Sequence, residues 1–299
     1  HSPSNVAMRK DRTDENNRVL NELLGAAVTP LPLDQVLGNC LDILLRLSWL
    51  SLLPKAGVFL AEPDETGRPE LRLIAERNLG EPIKTLCAKV AFGHCLCGRA
   101  ALTMSSVHAS CVDERHETTF DHMEPHGHYN IPIISNAEVL GVIVFYLPHG
   151  AGRYDEGVVF LERVADTLAM VISLNRQSTM LSQKVRELDY QKKALDEHAI
   201  VSVTDVKGTI TYANDRFCEI SGYDRNELLG ANHRLIKSDE HAPEFYAELW
   251  KTIANGRTWR GEIKNRRKDD GYYWVAATIV PFLDDSGKPF QYVAIRTDI

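Results

Sequence analysis

Two apolar stripes with helical spacing open the chain. The first runs from Asp14 to Ala27, and a Thr-Pro-Leu-Pro segment at positions 29–32 breaks it. The second runs from Leu33 to Leu47. Both stripes predict amphipathic helices that cover a hydrophobic core. The first residues, HSPSN, look like a tag remnant or a frayed terminus, and we expect residues 1–13 to be disordered or tag-derived.

The apolar positions then take the spacing of β-strands. The runs AGVFLAEP and LRLIAER are joined by a turn-rich segment at 64–69, and YNIPII and VLGVIVFYL flank a turn at 135–138. This pattern predicts two antiparallel strand pairs separated by an irregular stretch. A helix then begins at 154–156 and continues to about Asp196.

That long helix carries a heptad pattern, which consists of leucines seven residues apart and valines three positions before that register. They are Leu174, Leu181, Leu188 and Leu195, with Val164, Val171 and Val185. β-Branched residues at a and leucine at d favour a parallel two-stranded coiled coil, so we expect a homodimer. Ser178 and Lys192 interrupt the a positions and weaken the seam. The alternative is a single amphipathic helix lying on its own domain, which the length of the helix disfavours.

From residue 197 onward the pattern predicts strands with helices between them. The predicted strands are 200–206, 209–213, 259–266, 272–283 and 290–297, and the predicted helices are 215–221 and 242–253. The fold class is therefore α+β. We expect two mixed α/β domains, residues 14–174 and 197–299, each an antiparallel sheet with flanking helices. The coiled-coil helix, residues 175–196, joins them.

The composition is that of an ordinary soluble protein with an acidic balance. Hydrophobic residues make up 44% of the 299 residues, the net charge is -7 and the pI is about 5.9. No basic face is implied, so nucleic acid is not an expected partner. The longest apolar runs are too short to span a bilayer. The six cysteines have no framework spacing, which favours reduced thiols in a cytoplasm.

The stretch from Phe92 to Tyr129 concentrates the side chains that bind soft metals. It holds three of the six cysteines and six of the eleven histidines. Thiolates and imidazoles at short spacing are the donors of a transition-metal or iron–sulfur centre. The alternative is a polar loop that happens to be rich in these residues.

Four features of the first half of the chain occur together. They are the helix Leu33–Leu47, the Gly-Arg-Ala-Ala segment at 98–101, the strand Val139–Val144, and Tyr-Asp-Glu at 154–156 before an apolar helix. In this combination the first half of the chain resembles a GAF domain. This resemblance implies a sensor of small molecules or cofactors rather than an enzyme, with its ligand held in the middle stretch. The Cys/His residues fall in that stretch.

Two pairs within this stretch are the preferred metal ligands. Cys95 and Cys97 precede the Gly98 helix, and His126 and His128 precede the next strand. Residues two apart on an extended segment point the same way, so the pairs offer four N/S donors to one ion. Cys111 and His116 are reserve ligands, and Cys87 lies apart.

The identity of the metal is left open by these residues. A regulatory site favours iron, mononuclear or as a cluster, because iron exchanges ligands or electrons. Zinc would instead indicate a structural site. A metal-free thiol switch at Cys95, Cys97 or Cys111 is the third alternative.

The second half, residues 197–299, contains a series of recognisable motifs. They are DVKGTITYAND, FCEISGY, ELLGANHRLIKS, the long ELWKTIANGRTWRGEIKNRRKDDGYYWVAATIVP and the final IRTDI. With these motifs the second half resembles a PAS domain. Light-sensing flavin relatives carry Asn-Cys-Arg where this chain has Asn232-His233-Arg234, so a thiol–flavin adduct is excluded. The resemblance also implies a possible flavin site, in which Asn265 bonds a flavin edge, Trp259 flanks the ring and Asn232 is a further candidate cofactor-binding residue. A PAS domain without a cofactor is the favoured alternative.

Together these features predict the cytoplasmic sensory region of a bacterial signalling protein, acting as a parallel dimer. We expect a ligand or redox signal at the Cys/His site to pass through the helix and the PAS domain to an effector beyond Ile299. The resemblance suggests a diguanylate cyclase or histidine kinase effector. No catalytic motif is present, so we expect no enzyme activity in this region. The rival hypothesis is a passive dimerisation module with structural zinc.

Overall fold

The computed structural model describes the backbone of residues 3–299 and the side chains from residue 6 onward. The chain divides into two compact units between residues 181 and 182. The first unit contains four helices and six strands before the long helix α5. They are α1 (Pro3–Ala27), α2 (Leu33–Leu44), β1 (Ala56–Pro63), β2 (Pro69–Arg77), α3 (Glu81–Leu86), β3 (Lys89–Ala91), α4 (Cys95–Thr103), β4 (Val107–Ala109), β5 (His126–Ser135), β6 (Glu138–Pro148) and α5 (Asp155–His198).

Helix α1 begins earlier than the apolar stripe predicts. Residues 3–13, expected to be disordered or tag-derived, form its first turns, and residues 1 and 2 lie outside the described part. The polar sequence here has no proline or glycine to stop the helix after Pro3. A tertiary contact also stabilises this part of the helix, because Arg12 Nη1 donates a hydrogen bond of 2.8 Å to the Tyr154 hydroxyl. Residues 3–13 are therefore helical in this structure, whereas the appearance of the first residues had suggested a tag remnant or a frayed terminus.

The six strands of the first unit form one antiparallel sheet in the order β3-β2-β1-β6-β5-β4. Alternate residues of a strand face opposite sides. Val58, Ile143 and Phe145 pack with helices α1, α2 and α5 in one core cluster. Val142 and Tyr146 pack with helix α4 in another. Because both sides are covered, the central strands read as nearly continuous apolar runs.

The early turns of helix α5 pack against the core of the first unit, whereas its later turns are exposed. Val164 and Val171 are fully buried in the core of the first unit, so they are not available to a coiled coil as the heptad pattern predicted. The leucine seam beyond them is exposed: Leu181 is 65% and Leu188 63% accessible. The first part of the heptad pattern is thus buried in the core of the first unit and the later part is exposed to solvent. A helical stripe of apolar residues does not specify what it packs against.

The second unit is a five-stranded antiparallel sheet in the order β8-β7-β11-β10-β9. Its elements are β7 (Ile200–Asp205), β8 (Ile210–Ala213), α6 (Asp215–Ser221), α7 (Arg225–Leu228), a 3-10 helix (His233–Ile236), α8 (Pro243–Ala254), β9 (Trp259–Arg266), β10 (Tyr272–Leu283) and β11 (Pro289–Asp298). The predicted α+β class, with two antiparallel sheets and a long helix between the domains, is confirmed.

The last turns of α5 are anchored to the sheet of the second unit. The buried Asn214 side chain caps α6, accepts a 3.0 Å bond from the Val201 N–H and donates one of 2.8 Å to the Ala199 carbonyl. The Tyr212 hydroxyl donates to Asp196 at 2.8 Å. The junction between helix and sheet is therefore hydrogen-bonded rather than loose.

Among the described residues, none of the helices is both long enough and apolar enough to cross a membrane.

Candidate functional site

Three histidines of the first unit meet against the inner side of strand β5. His126 and His128 lie on the strand itself, not before it as expected, and are two residues apart, so both rings face the α4 side of the sheet. Tyr129, Ile131 and Ile133 occupy the alternate positions and fill the core on the other side. His116 reaches the pair from the irregular segment between β4 and β5.

The ring nitrogens of the three histidines converge. One ligating atom from each lies within 4.8 Å of the others, and His116 Nε2 is 3.2 Å from His128 Nε2. No other group of three His, Cys, Asp or Glu side chains in the described part of the chain is as close. We call His116, His126 and His128 the histidine cluster. A first-row transition metal bound to imidazole lies about 2 Å from each nitrogen, so small side-chain adjustments suffice to centre an ion.

Each ring of the cluster has a buried nitrogen without a hydrogen-bond partner. His126 and His128 are 8% and 4% exposed, and His116 Nδ1, His126 Nε2 and His128 Nδ1 are buried without hydrogen-bond partners. His126 Nδ1 donates a 2.6 Å bond to the Glu124 carbonyl, which leaves its Nε2 with a free lone pair. Burial lowers the pKa of His116 and of His128, the latter well below its ordinary value. These rings are therefore neutral at physiological pH, as metal ligation requires.

Three cysteines lie near the histidine cluster but are not part of it. Cys87, Cys95, Cys97 and Tyr146 line the same cavity, whose volume is about 40 Å³. Cys95 and Cys97 belong to the first turn of helix α4, where residues two apart diverge, so the extended geometry expected for this pair is wrong. Burial raises the pKa of Cys97 far above its usual range, which disfavours its thiolate.

The structure separates the two reserve ligands that the sequence analysis named. His116, a reserve ligand in the sequence, is in the cluster, whereas Cys111 is partly buried outside the cavity. Cys87, which stands apart in the sequence, lines the cavity, and Tyr146 was not predicted at all. The Tyr146 ring centroid lies 4.5 Å from that of His128 because the two residues are paired across β5 and β6. Only the sheet register reveals this neighbour.

Glu117 holds the segment that carries His116. Its carboxylate accepts a 2.6 Å bond from the Cys95 N–H and one of 2.8 Å from Arg99, and it lies 2.9 Å from His94 Nδ1. The Cys95 N–H, then the charge of Arg99, keep the pKa of Glu117 below its ordinary value. Cys95 itself has a φ of +56°, a backbone conformation that side chains rarely adopt without surrounding support. Glu117 thus couples the start of α4 to the segment beside the cluster.

The second unit encloses a much larger cavity, with a volume of about 450 Å³. Asn232 and Asn265 line it, as predicted, but Trp259 does not. Trp259 is buried in the apolar core, where its ring meets Phe245 edge-on at 5.5 Å and covers Gly261. Trp250 is the tryptophan of the cavity wall. Helix α8 contributes Trp250, and the sequence could not show which of the two indoles faced inward.

The two asparagines are not equally available to a ligand. Asn232 accepts a bond from the Arg234 N–H and donates one of 3.0 Å to the Lys207 carbonyl, so its amide caps the 3-10 helix. Asn265 is 5% exposed and lies on β9, paired with Lys237. Asn265 remains the stronger candidate for a ligand contact in this cavity.

Comparison with known proteins places these two units in known families. Residues 30–173 match the GAF domain family, and residues 197–299 match the PAS domain family. The aerotaxis receptor of Escherichia coli is 39% identical over 102 residues, which is 34% of this chain and 20% of the receptor. The nitrogen fixation regulatory protein of Klebsiella pneumoniae is 39% identical over 99 residues, 33% of this chain and 20% of that protein.

Among solved structures, the PAS domain of an HTR-like protein from Haloarcula marismortui matches with 24% identity and a TM-score of 0.33. The match covers 40% of this chain and 99% of that one. This chain spans about a fifth of the length of the two curated relatives. The two family matches show that residues 30–173 are a GAF domain and residues 197–299 a PAS domain, the pairing that the sequence motifs predicted, with relatives among bacterial sensory proteins.

Proposed function

We propose that this chain is the sensory region of a bacterial signal-transduction protein and that a transition-metal ion in the GAF domain receives the signal. The histidine cluster carries the proposal, because three imidazoles converge, two of them are buried, and each has a buried ring nitrogen without a hydrogen-bond partner. A buried polar nitrogen without a partner is costly, and an ion bound to these nitrogens would remove that cost.

The size of the cavity favours an ion over an organic effector. About 40 Å³ holds an ion with a water molecule or two, whereas ligand pockets for drug-sized molecules are typically about 300 Å³ or more. The donor set also discriminates among metals. Imidazoles suit zinc, copper, iron and nickel, whereas iron–sulfur clusters are held mainly by thiolates. A mononuclear ion, with iron preferred for a regulatory role, is therefore the form we propose.

Three protein ligands favour a sensor over a scaffold. Structural zinc sites are closed by four protein ligands, whereas a site with three keeps a position open for water or an exogenous ligand. The high pKa of Cys97 disfavours a thiolate as the fourth ligand and weakens the thiol-switch alternative at that residue. The open position is where a diatomic gas, a small anion or an oxidant would bind.

The route from the histidine cluster to the long helix is short. Tyr146 of β6 packs on His126 and His128, and β6 ends at Pro148, seven residues before α5 begins. The Tyr129 hydroxyl, from β5, accepts a 3.0 Å bond from the Tyr154 N–H just before that helix. A shift of β5 and β6 on ligand exchange would therefore displace the start of α5.

We propose that a second copy of this chain covers the leucine seam of α5. The exposed seam residues are Leu174, Leu181, Val185, Leu188 and Leu195, which are three, four or seven positions apart. Two such seams side by side form a parallel coiled coil, and a dimer can pass a small helix displacement to the PAS domains. An effector of the diguanylate cyclase or histidine kinase type, a cytoplasmic location and a non-catalytic role for this region complete the proposal.

Metal analysis tests the sensor proposal. Protein purified without oxygen should contain about one transition-metal ion per chain, or bind Co²⁺ with the absorption of a tetrahedral or five-coordinate imidazole site. A small exogenous ligand such as azide or nitric oxide should change that spectrum. Tightly held zinc whose spectrum after cobalt exchange ignores such ligands would support the structural alternative instead. A flavin in the PAS domain would be visible as yellow colour in the same preparation.

Replacing Glu117 with alanine is expected to weaken metal binding about tenfold, because the segment that carries His116 loses its bonds to Cys95 and Arg99. Competition with a chelating dye measures the affinity. Glu114→Ala is the matched control, since Glu114 is an exposed carboxylate of the same segment. Equal affinities for the two variants would remove Glu117 from the supporting structure of the site.

A further inference from the structure

A hydroxyl, an imidazole and a carboxylate are hydrogen-bonded in series on the GAF domain. Thr118 Oγ1 lies 3.4 Å from His94 Nε2, and His94 Nδ1 lies 2.9 Å from Glu117 Oε2. Thr118 and Glu117 belong to the irregular segment between β4 and β5, whereas His94 directly precedes α4. We call the three side chains the Thr-His-Glu relay. An imidazole that contacts a hydroxyl and is itself oriented by a carboxylate is the arrangement that activates a hydroxyl as a nucleophile.

Glu117 determines which nitrogen of His94 faces the hydroxyl. Its carboxylate is held in place by the Cys95 N–H at 2.6 Å and by Arg99 Nη2 at 2.8 Å. A carboxylate only accepts hydrogen bonds, so His94 Nδ1 is the donor in their contact. In the neutral ring the other nitrogen, Nε2, is then an acceptor, and it faces the Thr118 hydroxyl. The imidazole is therefore set in the tautomer that can take the hydroxyl proton.

The Thr118 hydroxyl lies at the border between solvent and the start of α4. His94 is exposed and Thr118 is half-buried, so a small reagent can reach the pair from solvent. Thr118 and Leu96, which belongs to the first turn of α4, line the same cavity. The first N–H groups of a helix lack carbonyl partners within it and carry a partial positive charge. Such groups stabilise the negative charge that develops on a carbonyl oxygen under attack.

The surroundings of Thr118 favour a neutral acyl group over an anionic phosphoryl group. The cavity that Thr118 borders has no lysine, arginine, aspartate or glutamate in its wall. Its outer part consists of apolar side chains that are exposed or half-buried, namely Leu86, Phe120 and Met123. Phosphoryl transfer relies on cationic groups at the phosphate, and Arg99 beside the relay is already bonded to Glu117. A short acyl chain needs no cation and can pack on the apolar side chains.

We propose that Thr118 is a covalent modification site that accepts an acyl group from an acyl thioester, with His94 as the base and Glu117 as the group that orients it. Thr118 Oγ1 attacks the carbonyl carbon of the thioester while the hydroxyl proton passes to His94 Nε2. The carbon–sulfur bond then breaks, and the same proton goes to the departing thiolate. The products are a threonine ester and a free thiol. The step requires no metal, so it does not depend on an ion at the histidine cluster.

Incubation of the full chain with the acetyl thioester of N-acetylcysteamine tests the proposal, and mass spectrometry locates the acetyl group. Trypsin releases residues 116–153 as one peptide, which contains no lysine or cysteine that would compete for the acyl group. The neighbouring Thr119 is an internal reference, because it is exposed and has no hydrogen bond to His94. We expect Thr118 to be acetylated at least about 100-fold faster than Thr119, which is the typical contribution of a positioned base.

Four variants and a metal-free sample make the outcome decisive. His94→Gln should slow the acetylation of Thr118 about 100-fold, because the base is lost. Thr118→Val should remove the fast acetylation, whereas Thr118→Ser keeps the hydroxyl and should retain it, as should the matched control Thr119→Val. Chelator-treated protein should react at the same rate as untreated protein. Equal acetylation of Thr118 and Thr119, an unchanged rate in His94→Gln, or a reaction that disappears with the metal would overturn the proposal.

Discussion

Substituting His128 with asparagine is expected to weaken transition-metal binding to the GAF domain by at least about 100-fold. The substitution removes one of three converging imidazoles, and the two that remain do not hold an ion tightly. Metal content after gel filtration and a chelator competition measure the loss. Bound metal should also raise the free energy of unfolding of the unaltered chain, by about 2.7 kcal/mol at a hundredfold excess over the dissociation constant. The variant should show no such gain.

His122→Asn is the matched control for this experiment. His122 lies in the same Cys/His-rich stretch but is exposed, and its φ of +62° suits asparagine. It should bind metal like the unaltered chain. If both variants retained metal, the histidine cluster would not be the site. If His128→Asn lost metal only because it unfolded, the apo proteins would differ in thermal stability, so both are measured without metal as well.

Replacing Leu181 with aspartate is expected to convert the proposed dimer to a monomer at micromolar concentration. In a parallel coiled coil the two substituted positions face each other and bury two uncompensated carboxylates. A penalty of about 3–5 kcal/mol corresponds to at least a hundredfold weaker association. Sedimentation equilibrium or light scattering measures the association. The outcome also decides whether the relay through α5 involves a second copy.

Gln183→Asp provides the control for the coiled-coil prediction. Gln183 lies two residues from Leu181, is also exposed in one chain, and falls on the side of the helix opposite the leucine seam. The same charge there should leave the dimer intact. A protein that is already monomeric without substitution, or a Leu181→Asp dimer as stable as the control, would contradict the proposed partner.

Local periodicity was sufficient for most elements. The strand Ala56–Pro63 and the helix Asp215–Ser221 have the predicted bounds, because a run of alternating or helically spaced apolar residues fixes the local conformation. The two families were recognisable from short motifs for a related reason. Turn glycines and core positions must occupy fixed places in these folds. The predicted helix boundary was wrong where the sequence is mostly polar, as at the start of α1.

The candidate sites could be predicted only in part. Composition singled out the stretch that contains His126 and His128, and period-2 spacing put both rings on one side. It could not select His116 over Cys111, because the irregular segment between β4 and β5 has no period. It also assumed an extended chain at Cys95, where the structure has the first turn of a helix. Nothing in the sequence pattern indicated that Arg296 would be buried.

The sequence by itself determined the two domain families, the order of helices and strands, and the local crowding of metal-binding side chains. These follow from neighbours a few residues apart. Only the tertiary structure decided which side chains share a site. His116 joins residues 10 and 12 positions away through an irregular segment, and Arg296 meets a serine 94 positions earlier across a sheet. Contacts of that kind depend on strand register and on the burial of charge without a partner, which no local pattern of residues encodes.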